Sequence, residues 1–356
     1  MGGASKTEVL QFGKRKSLRP LAFSAGLIVK QQSFLPEAGG RFFFCSLQRY
    51  CKCMLPLATA HVPVLSAEVI EWSNVSASMT LVDGTLGGAG HAKLLLQKLN
   101  ASGRLIGLDR DPEAIERSRS ILSNSILSIG VQDAPRIDLV CQSYRELPTL
   151  LEELSIPQID LILLDLGLSS DQLACRERGF SFRAGGPLDL RFNPTEGIPA
   201  SELLAWIGEE KLANIIYEFG EERFSRRIAK AIVERRRSNP VTTAEQLHDL
   251  IHRVVPGRTH GRVDSATRTF QALRIAVNEE LEHLQFALQE LPKYLAPGGR
   301  FLAISFHSLE DRLVKNAFRD HPLLNRLTKK PIGPSDRECQ ENSRSRSAKL
   351  RVAERV

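Results

Sequence analysis

The sequence predicts an α/β protein whose parallel β-sheet alternates with helices and is interrupted by an inserted all-helical domain. Two observations support this class. Short apolar runs rich in β-branched residues recur from Thr80 onward, at the intervals of about 25 to 35 residues that successive βα units require. A long stretch with helical periodicity and no convincing strand then separates the fourth run from a fifth.

Five strands are predicted from these apolar runs. They are Thr80–Asp83, Arg104–Leu108, Ile137–Cys141, Ile159–Leu164 and Arg300–Ser305. In an open parallel sheet, ligands bind at the carboxyl ends of the strands. The polar residues that follow each strand are therefore the first candidates for a functional site.

The stretch between Ser170 and Thr267 has helical periodicity throughout. The predicted helices within it are Ala200–Trp206, Lys211–Phe219, Phe224–Arg237 and Thr243–Val254. An all-helical block inside a βα series indicates an inserted domain, because the sheet can resume on either side of it.

One long helix is predicted from about Thr267 to Leu295, ended by the stop signal Pro297-Gly298-Gly299. The tail, Phe318 to Val356, is rich in Pro, Lys, Arg and Ser, and none of the predicted strands falls in it. The predicted domains are a leader (1–57), a discontinuous core (58–172 and 268–356) and the helical insertion (173–267).

The leader has the composition of an organelle-targeting peptide. Residues 1–60 carry nine Lys/Arg and only two acidic residues, together with scattered serines and no sustained helical period. The alternative is a disordered tail that carries no targeting signal. Subtracting this segment from the 48 basic and 41 acidic residues of the chain leaves 39 of each, so net charge gives no support for RNA binding.

Cysteine usage argues against a disulfide framework or a cysteine zinc site in the folded part. Three of the six cysteines lie in the leader, and Cys141, Cys175 and Cys339 are scattered singly. No apolar run approaches the roughly 20 residues that span a bilayer, so we expect a soluble protein without a membrane partner.

A glycine-rich turn, Asp83 to His91, follows the first predicted strand and opens the next helix. Its four glycines would let the backbone approach a ligand and direct amides at it, although a merely tight turn explains them equally well. The spacing differs from G-x-G-x-x-G, which disfavours a nicotinamide dehydrogenase.

Asp109 ends the second strand, roughly 20 residues beyond the glycines, where a carboxylate can accept hydrogen bonds from both hydroxyls of a ribose. The competing role is the N-cap of the next helix, for which Asp111 before Pro112 is the better candidate. We therefore expect Asp109 to be free for a ligand.

Tyr144 and Asp165 follow the third and fourth strands. Tyr144 could cover an adenine ring, whereas taken alone it is explained by packing. Asp165 lies where substrate and cofactor would meet, although a single Asp there often caps a loop. Together with the glycine turn and Asp109, these residues fit a nucleoside-bearing cofactor that lacks a pyrophosphate.

Stretches from about His61 to the C-terminus resemble, in order, the successive blocks of the MraW/RsmH family. They are Asp83-Gly84-Thr85, Gly90-His91, Asp165–Ser170, Gly179–Arg183 with Gly186–Asp189, Gly220–Ser225, Thr267–Arg274, Ile304–Asp311 and Ser343–Arg351. The resemblance implies a Rossmann-like class I methyltransferase core with an inserted all-helical domain. It also implies methylation, by S-adenosylmethionine, of N4 of a cytidine in the decoding region of small-subunit (16S-type) ribosomal RNA.

The cofactor contacts that the resemblance implies can be carried over residue by residue. They are Ala89, Gly90, His91, Asp109, Tyr144, Asp165 and Gln172. Two positions depart from the family pattern: Tyr144 stands where Phe is usual, and Ala184-Gly185 stands where an acidic residue is usual.

Methyl transfer from a sulfonium is an in-line displacement that needs no metal, so no metal ligand is predicted. The exocyclic amine of cytosine is a poor nucleophile, and an acceptor for its hydrogens would activate it. Asp165, the candidate catalytic residue, and the carbonyls of Leu166 and Gly167 could serve. Asp165 could equally be committed to the cofactor, so no single general base is assigned.

Local basic clusters are the candidate contacts to ribosomal RNA or the small subunit. They comprise Arg223, Arg226, Arg227 and Lys230 on one predicted helix, Arg235–Arg237 after it, and Arg344, Arg346, Lys349 and Arg351 in the tail. On charge alone a solvated surface explains them better. His307, at the end of the fifth strand, could line the pocket or be a structural histidine.

Two further classes compete with this prediction. A methyltransferase of proteins or small molecules would share the strand ends but would not need a basic helical insertion. A non-catalytic assembly factor would be expected to lose the polar strand ends, yet Asp109, Asp165 and Gln172 are present. For location we predict the plastid stroma, with the mitochondrion as the alternative.

Overall fold

The computed structural model of the protein describes residues 63–129, 134–182, 185–255 and 264–356. The predicted leader, residues 1–57, lies outside them, as does Ala184. Within the described residues seven strands form one sheet, in the order β3-β2-β1-β4-β5-β7-β6. The strands are β1 (Thr80–Asp83), β2 (Arg104–Asp109), β3 (Arg136–Cys141), β4 (Ile159–Asp165), β5 (Leu295–Ser305), β6 (Leu324–Arg326) and β7 (Lys349–Arg355).

The first five strands run parallel, and β7 pairs antiparallel with both β5 and β6. Continuous apolar runs form the parallel strands because both of their faces are buried. Alternate residues of β4 show this: Leu161 and Leu163 pack in one hydrophobic cluster, and Ile162 and Leu164 pack in the other. The predicted α/β class and parallel sheet are thus confirmed.

Helices cover both faces of the sheet. One cluster receives α1 (Ser66–Ser73), α2 (Gly90–Leu96) and α3 (Pro112–Ile129). The other receives α4 (Leu147–Glu153), α11 (Glu280–Glu290) and α12 (Ser308–Asp320). Two short helices, α5 (Ser170–Ala174) and α13 (Asp336–Glu341), complete this part.

The chain between β4 and β5 builds a third hydrophobic cluster of its own, with Leu204, Ile216 and Phe270 among its members. Its helices are α6 (Ala200–Trp206), α7 (Glu209–Gly220), α8 (Ser225–Arg235), α9 (Ala244–Val254) and α10 (Thr267–Asn278). The four predicted helices correspond to α6–α9, with ends that agree within two residues. The division into domains at 172 and 268 stays a prediction.

The single helix predicted from Thr267 to Leu295 is wrong, because the chain turns sharply at Glu279. This residue has a left-handed backbone (φ 50°) and separates α10 from α11. The side chain of Asn278 is thereby held against a neighbouring segment, where it donates to the Leu190 carbonyl and accepts from the Phe192 amide, both at 2.7 Å. Neither Gly nor Pro marks this turn in the sequence.

The C-terminal tail also differs from the prediction, since it contributes β6 and β7 to the sheet. Val352 and Ala353 of β7 are fully buried beside β5. The many charged residues of the tail conceal this strand, because only its short central part is apolar. Among the helices that the structure describes, none combines the length and the apolar character needed to cross a membrane.

Candidate active site

A pocket opens at the carboxyl ends of the parallel strands. Its walls come from the glycine-rich turn after β1 and from the residues that end or follow β2, β3 and β4. Six of the seven predicted cofactor residues line it: Gly90, His91, Asp109, Tyr144, Asp165 and Gln172. The seventh, Ala89, is not on the wall. It is fully buried in a left-handed conformation (φ 57°), and it turns the chain into α2.

Packing and backbone geometry account for two glycines of the turn. A Cβ at Gly84 would lie 2.5 Å from a methyl carbon of Leu164, and Gly87 has a φ of 50°. Both glycines also line the pocket. The two explanations of the turn are therefore compatible, since a tight turn brings the backbone to the pocket wall.

Asp109 was expected to be free, but both of its oxygens already accept backbone hydrogen bonds. Oδ2 accepts from the Gly87 amide at 2.7 Å, and Oδ1 accepts from the Asp111 amide at 2.8 Å. Each oxygen retains a further lone pair, so the carboxylate can still accept from two hydroxyls. Burial, helped by the charge of Asp111, raises the pKa of Asp109 to about 6. Asp111 is the helix cap as predicted, accepting from the Glu113 amide at 3.1 Å.

His91 and Asp165 line the pocket, and the charge of the buried Asp83 also acts on His91. Nε2 of His91 lies 3.6 Å from Oδ2 of Asp165. Burial lowers the pKa of His91, but the close contact with Asp165 and the charges of Asp165 and Asp83 outweigh it, so the net shift is upward. Burial also raises the pKa of Asp83 to about 7, against the opposing charge of His91.

Asp165 presents an unused acceptor to the pocket. Its Oδ1 is buried and has no hydrogen-bond partner among the described residues. The backbone amide of Asp165 donates to the hydroxyl of Thr85 at 2.6 Å, which fixes the end of β4 against the glycine turn. Leu166 and Gly167, whose carbonyls were the other candidate acceptors, also line the pocket.

Tyr144 lies on the pocket wall in a rigid setting. Its ring stands edge-on to His283 with the centroids 6.5 Å apart, and Nδ1 of His283 lies 2.9 Å from the Ser143 hydroxyl. Burial raises the pKa of Tyr144 above its ordinary value. The ring is therefore a neutral, fixed surface, as covering a heterocycle would require.

Gln172 lines the pocket, but the protein already engages both ends of its amide. Oε1 accepts from the Ser169 amide at 3.0 Å in a capping box, and Nε2 donates to Oδ2 of Asp111 at 3.1 Å. Asp111 is also paired with Arg178 at 3.2 Å, and both side chains are buried. The second guanidinium nitrogen of Arg178 donates to carbonyls next to the pocket, including that of Phe192.

Several pocket residues were not found by sequence reasoning. They are Arg110, Phe192, Glu280, Leu284, Phe306 and Glu310. Glu280 is held by Arg274 through two hydrogen bonds of 2.8 and 2.9 Å. The turn at Glu279 brings this carboxylate to the pocket. Glu280 does not follow a predicted strand, so the sequence pattern did not mark it as a candidate. Glu310 stands inside a recognised block, which was the available signal.

His307 does not line the pocket. It has the second of the two roles considered from the sequence, that of a structural histidine. Its side chain caps α12, and Nε2 lies 3.1 Å from Oε1 of Glu310. Burial would raise the pKa of Glu310, but the charges of His307 and Arg274 and the contact with His307 lower it overall. His307 thus keeps a charged carboxylate at the pocket wall.

The predicted RNA-binding residues have different surroundings. Those in and just before α8 are exposed: Arg223, Arg226, Arg227 and Lys230. Lys230 pairs with Glu234 at 3.8 Å. The side chain of Glu221 accepts from Ser308 at 2.6 Å, which places the turn before α8 beside the start of α12. This exposed basic group therefore lies next to the element that carries Glu310.

In the tail, Arg344 is exposed, lines the pocket mouth and contacts the Ser170 hydroxyl. Arg346 is also exposed. Lys349 and Arg351 instead pair with Asp311, at 3.3 and 2.7 Å.

After α8, Arg236 donates to the carbonyls of Leu204 and Ile207, so it holds the helical packing together. The predicted basic clusters thus mix surface groups with structural ones.

The sequence profile of the MraW methylase family matches residues 58–356. A protein of Rhodopirellula baltica named "Ribosomal RNA small subunit methyltransferase H" is 49% identical over 306 residues, which cover 84% of this chain and 92% of that protein. Proteins of the same name from Deinococcus deserti and Cyanothece sp. are 46% and 45% identical. Both alignments cover 83% of this chain, and they cover 93% and 95% of the respective relatives.

Proposed function

Because the chain belongs to the MraW methylase family, whose cofactor is S-adenosylmethionine, we propose that it methylates N4 of a cytidine in the decoding region of small-subunit ribosomal RNA. Its core has the Rossmann-like methyltransferase fold. The observation that carries the proposal is the unpartnered, buried Oδ1 of Asp165 on the wall of a pocket that also contains Asp109 and Tyr144. The names of the curated relatives support ribosomal RNA as the substrate.

The side chains of the pocket fit S-adenosylmethionine. The carboxylate of Asp109 suits the two ribose hydroxyls, and the neutral ring of Tyr144 suits the adenine face. The carboxylate of Asp165, which has an unpartnered oxygen, supplies negative potential for the cationic parts of the cofactor. When bound, the cofactor supplies a methyl group made electrophilic by its positively charged sulfur.

The protein's part in the reaction is to hold the amine in line and to accept its hydrogens. Oδ1 of Asp165 and the carbonyls of Leu166 and Gly167 are the acceptors available at the pocket wall. An acceptor there draws the nitrogen lone pair out of conjugation with the ring and removes a proton as positive charge develops. Among these three acceptors, Asp165 is the one that can take up the proton as a base.

Ribosomal RNA has to present its base unstacked, because a paired base cannot reach the pocket. Phe192 and Phe306 offer flat apolar surfaces on the pocket wall for such a base. Arg344 at the pocket mouth and the exposed basic group beside α12 are suited to the flanking phosphates. Arg223 and Arg226 belong to this exposed basic group.

The test is methyl transfer from labelled S-adenosylmethionine to small ribosomal subunits that lack the modification, followed by mass analysis of the nucleosides. The intact protein should produce N4-methylcytidine, and Asp165→Ala should not. Asp160→Ala is the matched control, because Asp160 lies on the same strand and accepts from the Thr80 amide at 2.8 Å, away from the pocket. Label found in protein or in a small molecule would favour a methyltransferase with that kind of substrate. Tight cofactor binding without transfer would favour a non-catalytic assembly factor.

We also propose that the protein acts in an organelle, because the basic, acid-poor composition of residues 1–57 is typical of targeting peptides for plastids and mitochondria alike. Of the two, we propose the plastid stroma. The full chain and a chain lacking these residues can be offered to isolated plastids and to isolated mitochondria. Protease-protected product in plastids alone, and only from the full chain, would support the proposal. Uptake by mitochondria alone would replace it.

A further inference from the structure

Two histidines and a carboxylate meet at the edge of the helical region, outside the pocket. His248 and His252 stand one turn apart on α9, and Asp264 precedes α10. One ligand atom from each of the three residues lies within 4.8 Å of the other two. Nε2 of His248 is 3.2 Å from Oδ2 of Asp264, and Nε2 of His252 is 3.1 Å from Oδ1.

These separations agree with the edges of a metal coordination shell. Ligand atoms about 2.0 to 2.1 Å from a tetrahedral zinc ion lie roughly 3.3 Å from each other. The same distances also suit hydrogen bonds from protonated imidazoles to the carboxylate. A metal ion and a proton are thus the two competing occupants of the space between these groups.

The surroundings of His248 favour the metal. Its other ring nitrogen, Nδ1, faces the carboxylate of Asp249 at 3.6 Å, which is longer than a hydrogen bond but leaves an acceptor on the side where metal-bound histidines usually have one. Its ring is stacked on Phe182 with centroids 4.6 Å apart and an interplanar angle of 19°, which fixes the direction of Nε2. The side chain of His252 is 43% exposed, so an ion can enter and keep a water ligand.

We propose that His248, His252 and Asp264 bind a divalent transition-metal ion, with zinc the best match to two imidazoles and one carboxylate. Water completes the coordination. The ion joins α9 to the residues that lead into α10, so its role is to stabilise the helical region rather than to take part in methyl transfer. Cysteine spacing gives no sign of this site, because its ligands are histidines and a carboxylate.

The test is calorimetric titration of the full chain with zinc chloride after removal of metals by a chelator. Cys45, Cys51 and Cys53 are replaced by Ser in every protein, because thiolates in residues 1–62 would also bind zinc. His252→Ala removes one exposed ligand and should leave the fold intact. Arg253→Ala, an exposed neighbour on the same helix, is the matched control.

We expect one zinc ion per chain, with a melting temperature that rises on zinc addition in the parent and in Arg253→Ala. His252→Ala should bind at least about tenfold more weakly and lose the thermal shift. Cobalt in place of zinc should give the strong visible absorption of a tetrahedral site in the parent and in Arg253→Ala, but not in His252→Ala. Absence of stoichiometric binding, or binding equal in His252→Ala and the parent, would overturn the proposal and leave a hydrogen-bonded His–Asp–His cluster.

Discussion

Replacing Asp109 with Ala should abolish most of the affinity for the cofactor. A hydrogen bond to a charged group contributes about 1.5 to 3 kcal/mol, and the ribose would lose two such bonds while regaining contacts with water. We expect a net loss of about 2 to 4 kcal/mol, which corresponds to roughly 30-fold to 1000-fold weaker binding. Calorimetric titration with S-adenosylhomocysteine measures this affinity without turnover.

The substitution has a second effect that must be separated from the first. It leaves the amides of Gly87 and Asp111 without their acceptor, so the unfolding free energy should also fall. Asp160→Ala removes a comparable carboxylate–amide bond at the far end of β4 and should keep full affinity. If folded Asp109→Ala bound S-adenosylhomocysteine with an affinity within about threefold of that of the parent, the assignment of Asp109 to the ribose would be refuted.

The ionisation of Asp109 gives this prediction a pH signature. Its pKa is raised to about 6 in the protein without cofactor, and the ionised form is the better acceptor. The affinity of the parent should therefore fall as the pH drops below about 6, by up to tenfold per unit. Asp109→Ala should lack the step near pH 6, and the pH dependence that remains in the variant comes from other groups such as Asp83 and His91.

Three further predictions follow from buried and exposed charges. Because the pKa of Asp83 is raised from 3.8 to about 7, its carboxyl favours folding below pH 4 and loses that contribution as the pH rises to 7. The unfolding free energy of Asp83→Asn should therefore increase relative to that of the parent over this pH range, by up to about 4 kcal/mol. Denaturant titrations at several pH values measure this difference. Equal pH dependence of the two proteins would contradict this. Arg178→Ala should cost about 3 to 5 kcal/mol of unfolding free energy, because it leaves Asp111 buried without its charged partner, whereas the exposed Arg319→Ala should change little. Arg344→Ala should weaken binding to small-subunit RNA and lower its salt dependence by about one phosphate contact, with Arg319→Ala again as the control; an unchanged salt slope would remove Arg344 from the RNA surface.

The sequence located the sheet well because its strands are buried on both faces, which leaves continuous apolar runs bounded by polar ends. The pocket was predictable for the same reason: Asp109 and Asp165 end β2 and β4, and parallel strands bring their carboxyl ends together. Pairing partners within the pocket were not predictable. The bond from Gln172 to Asp111 joins residues 61 apart in the sequence and follows from packing, whereas the bond to the Ser169 amide belongs to a capping box with a regular spacing.

The features that were missed depend on contacts between distant segments. The turn at Glu279 has no Gly or Pro and is held by the contacts of Asn278 with residues far away in the sequence. Without that turn, Glu280 could not have been placed at the pocket. The strand β7 is hidden among charges, and Asp264 meets His248 and His252 only after α9 and α10 have packed.

The pairing of β4 with β5 has a consequence for the order in which the protein folds. Asp165 stands opposite Ile304, so this central contact of the sheet closes a loop that contains every helix from α5 to α11. The entropy lost in closing such a loop falls when its interior is already compact, and contacts so distant in sequence slow folding. The third hydrophobic cluster, built from α6–α10, is local enough to form early. Substitutions inside it should therefore slow the refolding of the sheet, even where they leave the finished pocket unchanged.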